Sequence, residues 1–278
     1  MVNYTYISCR TALSTSRLPG LDYCLNPYIG CEHGCRYCYS PSILRRFNEP
    51  WGSYVQVKAN VAEVLLSNLA AKRPGTVGVS TITDPYQPVE ERLELTRRCV
   101  EILAATRFHT SIQTKSDLIA RDFDILHPDR CDLGVTITTL DDDLAARLEP
   151  HAPKPSARAL ALTEASSQGI PTWIFLGPLI PFVNDDETNL KSIFLLAQET
   201  RSHIIYDKLN LKHDTLQNLT PVLNTLGLEP QKLKEQLDPH SDFCKNLTST
   251  IEKLGSAYEV RAEPAFDKPL KARQLTLL

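Results

Sequence analysis

Long apolar runs are missing from this sequence. No stretch approaches the roughly 20 continuous apolar residues that cross a bilayer, and Met1 to Gly20 lacks a basic start followed by an apolar run; a cytoplasmic chain with no membrane partner is therefore expected. Charge of one sign is missing too: 30 Lys and Arg stand against 33 Asp and Glu, a net of -3. With no global basic field, binding to a phosphate backbone would need a local patch. No two histidines stand i, i+4 on a helix, no second C-x2-C follows the first, and no Gly/Ser linker or internal repeat marks a swinging module.

What the chain does have is cysteine. Eight in a chain without an export signal do not read as a disulfide framework, because the cytoplasm keeps thiols reduced. Metal or redox chemistry is the better expectation. Cys9, Cys24, Cys99, Cys131 and Cys244 are scattered, whereas Cys31, Cys35 and Cys38 are packed together.

The 278 residues, 42% of them hydrophobic, suffice for one α/β core, or a core with a small appendage. Short β-rich runs alternate with amphipathic helical stretches, the pattern of parallel strands joined by crossover helices. Strands are expected over 76–83, 110–114, 133–139, 172–179 and 204–211, with one more before the cysteines. Helices are expected over 60–72, 89–106, 121–126, 141–148, 156–168 and 185–200. Six βα units are too few for a closed eight-stranded barrel, which points to an open, partial (β/α)6 TIM-like barrel over residues 1–212, lead-in included. Residues 213–278 read as a helical appendage docked on it, with helices over 214–226, 230–237 and 241–253 and a β-like run over 258–261.

The segment Cys31-Glu32-His33-Gly34-Cys35-Arg36-Tyr37-Cys38 spaces its thiols C-x3-C-x2-C. Three thiolates this close can wrap one small centre, and thiolates are the ligands of iron–sulfur clusters. Three ligands for four irons leave one iron open to a chelating cofactor. A tetrahedral zinc would want a fourth ligand, and His33 is too cramped inside the loop to share a metal with its neighbours. Three buried cysteines, or a zinc knot completed from a distance, are the bland alternatives.

The longer string from Asn26-Pro27-Tyr28-Ile29-Gly30 through Cys38-Tyr39 resembles the radical S-adenosylmethionine (SAM) superfamily, and within it the spore photoproduct lyase-like (DNA repair photolyase-like) branch. The resemblance implies a [4Fe–4S] cluster on Cys31, Cys35 and Cys38, with SAM chelated at the open iron. Reductive cleavage of SAM would yield a 5′-deoxyadenosyl radical that takes a hydrogen from a substrate, fed by an electron donor such as flavodoxin or ferredoxin. The open side of the barrel suits a large substrate, a nucleic acid or a protein, although a small one capped by the C-terminal helices fits as well.

Carried onto matching positions, the resemblance puts Thr83 and Asp84 at the methionine amino group and Lys115 at the carboxylate or ribose. Thr136 and Thr138 share one face of the fourth strand, Arg158 would bind a carboxylate, and Tyr37 would lie beside the adenine. On residue type alone Lys115 and Arg158 read as solvated charges and the threonines as β-formers. Lys208, Lys212 and Tyr206 read as surface residues that the barrel mouth would have to recruit.

One departure stands out. The branch carries a hydrogen-donating cysteine three residues before the aspartate matched by Asp84; here that residue is Thr81, whose O–H bond is too strong for the task. Cys24 is open to three readings: a buried small hydrophobe, a substitute hydrogen donor for a lesion-repair lyase, or a ligand to a second centre. The expectation is a single cluster. The rival of another class is a non-catalytic metal-binding regulatory module.

Overall fold

The computed structural model describes residues 1–44 and 49–266. The lead-in forms β1 (Asn3–Ile7), β2 (Leu13–Thr15), β3 (Tyr23–Leu25) and β4 (Tyr28–Ile29), followed by α1 (Ser40–Leu44) and β5 (Tyr54–Lys58). The repeating part runs α2 (Val61–Ala70), β6 (Thr76–Val79), α3 (Val89–Leu93), α4 (Leu95–Ala104) and β7 (His109–Thr114). A 3-10 helix (Asp117–Ile125), β8 (Cys131–Thr136), α5 (Asp142–Leu148), α6 (Pro155–Ser167), β9 (Thr172–Leu179), α7 (Glu187–Glu199) and β10 (His203–Lys208) continue it. The chain closes with α8 (His213–Thr225), α9 (Pro230–Gln236), α10 (Asp242–Tyr258) and β11 (Ala262–Pro264).

Strands β3, β6, β7, β8, β9 and β10 lie side by side and parallel, the six-stranded open barrel expected. The sheet is longer than six strands, because β2 adds antiparallel to β3 on one edge and β11 adds parallel to β10 on the other. A separate three-stranded sheet, β1-β5-β4, backs the cysteine loop. The C-terminal segment thus does more than cap: α10 packs on α7 and delivers β11 to the barrel sheet. Its last helix runs on to Tyr258, where Glu259 takes φ +56°, so the strand falls later than the β-like run expected over 258–261. Residues 267–278 of the expected appendage lie outside the described residues.

Two other boundaries move for backbone reasons. The strand expected through Thr83 stops at Val79, because Ser80 turns to φ +55° and gives its N–H to Leu25 O. The helix expected over 89–106 breaks at Glu94, φ +49°, into α3 and α4. The Glu90 carboxylate then accepts from the Thr96 and Arg97 N–H groups that the break leaves open at the start of α4.

Alternation along the strands puts an unusual set of residues inside the barrel. On β9 and β10, Ile174, Leu176, Ile204 and Tyr206 are buried in the main apolar core, while Trp173, Phe175, His203, Ile205 and Asp207 line the lumen. On β7 the lumen side carries His109, Ser111 and Gln113. Near the N-terminal ends of the strands Asp132 pairs with His109 Nε2 at 2.7 Å and accepts from Ser111 Oγ and Trp173 Nε1, each at 2.7 Å. Gly134 makes room for that indole: a Cβ there would stand 2.3 Å from the Trp173 ring. Gly134→Val should cost about 1–3 kcal/mol by overpacking, read as a lower denaturation midpoint; unchanged stability would mean that Trp173 does not lie across position 134.

Candidate active site

The cysteine loop leaves β4 through Gly30, whose φ is +90° and where a Cβ would stand 2.3 Å from Tyr54 O. At its middle Gly34 meets Gly52, so closely that a Cβ on Gly52 would be 3.0 Å from Gly34 Cα. Hydrogen bonds staple the loop on three sides. Arg36 N–H donates to Leu148 O (2.8 Å), Glu32 N–H to Gln87 Oε1 (2.9 Å), and the Glu32 carboxylate accepts from Val89 N–H (2.6 Å) and Tyr4 O–H (2.7 Å). The tail of the motif joins the loop after β6, with Ser40 O–H donating to Ile82 O (2.6 Å) and Tyr39 O–H reaching Thr81 O at 3.5 Å.

Cys31, Cys35 and Cys38 line one cavity of about 620 Å³ at the C-terminal ends of the strands, continuous with the polar lumen. Burial pushes all three thiols above the ordinary cysteine value, so metal loading must displace their protons. Among the described residues no three His, Cys, Asp or Glu side chains, these thiols included, gather around a single metal point. Three thiol donors within one loop, all lining one cavity, suit a multi-iron centre in which each iron takes one thiolate. The donor set therefore fits the [4Fe–4S] cluster better than a zinc knot.

The strand-end residues divide. Tyr37, Thr83, Asp84, Lys115 and Thr136 line the same cavity as the thiols. Asp84 is the joint among them: its carboxylate accepts from Thr114 O–H (2.6 Å), Lys115 N–H (2.7 Å) and Tyr86 N–H (2.9 Å), and lies 3.5 Å from His33 Nδ1. Thr83 O–H donates to Tyr28 O at 3.3 Å. Lys115 Nζ sits 5.7 Å from the centre of the Tyr37 ring, a cation–π distance. Burial works against its charge, but Cys35, Glu149 and Asp84 together hold its pKa above the ordinary lysine value.

Arg158 and Thr138, also expected at the cofactor, are not brought together with these residues. Neither lines the cavity. Arg158, 1% exposed, spends its guanidinium inside the protein: Nε donates to Pro153 O (2.8 Å), Nη1 to Thr136 O (3.1 Å), and Nη2 is paired with Glu149. Glu149, 1% exposed, in turn accepts from Tyr37 O–H. Burial would raise this carboxyl, yet Arg158 and Lys115, with the hydrogen bonds from Arg158 and Tyr37, hold it below the ordinary value and charged. Thr138 Oγ1 is buried without a partner and its carbonyl accepts from Asn184 and Asn189 amides.

Three site residues escape a reading of the sequence: Glu149, Gln87 and Asp207. Only Gln87 carried a signal, its place in the run after Asp84. Lys208, expected at the surface, lines the cavity and sets Nζ 3.0 Å from Cys244 Sγ. Tyr206 is buried with its O–H toward Thr248 Oγ1. Cys24 is buried in β3 opposite Gly78 and does not line the cavity; Thr81 does, and the cluster cysteines are the only thiols that do among the described residues.

Fold and site together put three buried thiols at the mouth of an open βα barrel. The Radical SAM superfamily model matches residues 25–190, and the chain belongs to that superfamily. A relative of unknown role, protein MJ0683 of Methanocaldococcus jannaschii, is 34% identical over 183 residues, 65% of this chain and 69% of that one. Protein Rv2578c of Mycobacterium tuberculosis is 30% identical over 208 residues, and the match spans 60% of its length. Among solved structures, spore photoproduct lyase complexed with dinucleoside spore photoproduct superposes with a TM-score of 0.72 at 14% identity, covering 95% of this chain and 82% of that one. Streptococcus suis SuiB bound to S-adenosylmethionine gives 0.60 at 13%, covering 87% and 49%. At these identities the two structures show the fold alone.

Two substitutions test the site's electrostatics. Glu149→Gln strands a buried Arg158 and should cost about 3–5 kcal/mol in denaturant titration of the metal-free protein; a variant as stable as the parent would show that the pair is not structural. Asp207, raised by burial to about 6, is favoured by the fold in its neutral form. Its contribution is complete below the ordinary carboxylate range and is lost as pH rises through about 6. Asp207→Asn should therefore gain in melting temperature over the parent across that interval, whereas parallel curves would refute the burial penalty.

Proposed function

We propose that the chain is a radical SAM enzyme that uses Cys31, Cys35 and Cys38 to hold a [4Fe–4S] cluster and the polar strand ends beside them to hold SAM. When bound, the cluster supplies one electron to the SAM sulfonium, and the adenosyl fragment released takes a hydrogen atom from substrate. The observation that carries this reading is the single cavity shared by the three thiols and by Thr83, Asp84, Lys115 and Thr136.

The chain's own residues have distinct parts. Lys115, kept cationic, would serve the carboxylate or ribose of SAM, and Thr136 offers a hydroxyl on the adjacent strand. Asp84 spends its oxygens on backbone and Thr114, so it fixes the two strand ends and would meet the methionine amino group of SAM only with what hydrogen-bonding capacity remains. Arg158 acts through Glu149 on Tyr37 and holds the cysteine loop rather than a ligand. Phe175 and Trp173 give the lumen beyond an aromatic surface beside its polar groups.

Lesion repair is the narrower reading, and the fold likeness to spore photoproduct lyase supports its architecture. The thiol donor expected of that branch is missing from its position among the described residues, because Thr81 lines the cavity in its place and Cys24 stays outside. The substrate is thus proposed only as a molecule that reaches the lumen from the open strand ends.

The experiment is anaerobic: reconstitute with iron and sulfide, reduce with SAM present, and assay 5′-deoxyadenosine against a Cys35→Ala control. Formation by the parent alone is expected. A fully loaded cluster that yields none, even with cell extract as a source of substrate, would favour a non-catalytic metal-binding module.

A further inference from the structure

The three thiols are not held alike. After Cys35 the loop is held by backbone on backbone: Arg36 N–H donates to Leu148 O (2.8 Å), and Cys35 O accepts from Cys38 N–H (3.1 Å). Around Cys31 a side chain takes that place. The carbonyl before it, Gly30 O, accepts from Gln87 Nε2 at 3.2 Å, and the amide after it, Glu32 N–H, donates to Gln87 Oε1 at 2.9 Å. One amide side chain thus grips the peptide units on both sides of the first cysteine.

The same side chain reaches the strand end. Gln87 Nε2 also donates to Asp84 O at 3.2 Å, and the Asp84 carboxylate in turn accepts from Lys115 N–H and Thr114 O–H. Three of the four hydrogen-bonding positions of the amide are therefore used, and at 0% exposure no bulk water is at hand to take them over. The turn that carries Gln87 is itself clamped: Tyr86 N–H donates to Asp84 Oδ1 (2.9 Å), Glu90 N–H to Gln87 O (2.8 Å), and Thr96 O–H to Pro85 O (2.7 Å). Gln87 does not line the cavity, so it can act there only through the residues it holds.

We propose that Gln87 is a positioning residue that sets Cys31 against Asp84, and so fixes where the first cluster ligand stands relative to the strand end that would meet the amino group of SAM. The inference rests on the radical SAM reading. Partners that orient a metal ligand in this way are worth on the order of 10–100-fold in metal affinity.

The test compares two buried losses of hydrogen bonding. Gln87→Met keeps length and bulk but removes all three bonds. Thr172→Val removes hydroxyl bonds to Thr200 O and Ser202 at the N-terminal end of β9, away from the cysteine loop, and controls for a merely structural loss. Each protein is reconstituted with iron and sulfide, and iron release to a chelator is followed beside the EPR spectrum of the reduced cluster. Gln87→Met should release iron on the order of tenfold faster than the parent, change the EPR spectrum, and need more SAM for half-maximal 5′-deoxyadenosine formation. Thr172→Val should match the parent in all three. Gln87→Asn, which keeps the amide but withdraws it by one carbon, should repeat the changes and serves if Gln87→Met does not fold. Parent-like iron release and EPR spectra in the Gln87 variants, or equally fast release from Thr172→Val, would overturn the positioning role and leave the enzyme reading intact. A parent that retains no cluster on reconstitution would remove both.

Discussion

Everything at this site depends on holding three thiols in a loop that has no regular structure of its own. Secondary structure satisfies backbone groups internally; an eight-residue ligand loop cannot, so its geometry must come from outside. Gln87 and Glu32 tie it to the segment after β6, Leu148 ties it to the end of α5, and the Gly34–Gly52 approach sets its depth against the small sheet. Asp84 completes the arrangement by joining the ends of β6 and β7, so loop and strand ends are one hydrogen-bonded body before any cofactor binds. Preorganisation of this kind lets binding energy go to the ligand rather than to ordering the protein.

The inside of the barrel follows from the same need. A closed barrel of this family of folds fills its interior with branched apolar side chains. Here the apolar positions of β7, β9 and β10 face the helices instead, and the lumen keeps Asp132, His109, Ser111, Gln113 and Asp207 beside Trp173 and Phe175. Such polar groups are tolerable because they satisfy one another, as Asp132 shows with its three partners. The result is an open, hydrogen-bonding channel rather than a core, and stability is carried by the layer between strands and helices.

What the sequence made legible was local. The cysteine spacing lies within eight residues, the βα alternation within windows of twenty, and the strand-end Thr83, Asp84 and Lys115 follow their strands directly. What escaped was either non-local or conformational. Tyr37 and Glu149 are 112 positions apart, so nothing near either residue announces the contact. Arg158 matched a ligand-binding position by sequence, but the carboxylate it meets is the protein's own. Ser80 and Glu94 end a strand and a helix by adopting left-handed backbone that their residue types do not favour, which no propensity signals.

The buried charges then acquire a common purpose. Lys115 and Arg158 place two buried cations behind the cysteine loop, opposed by the carboxylates of Glu149 and Asp84. Three thiolates outweigh the charge of an oxidised [4Fe–4S] core by one, so a bound cluster would be a net anion and become more so on reduction. A fixed cation in a poorly solvated place stabilises such a centre far more than one in water. Glu149 moderates that cation and anchors Tyr37 at the same time, so the residue that positions the loop also sets the field in which the electron arrives.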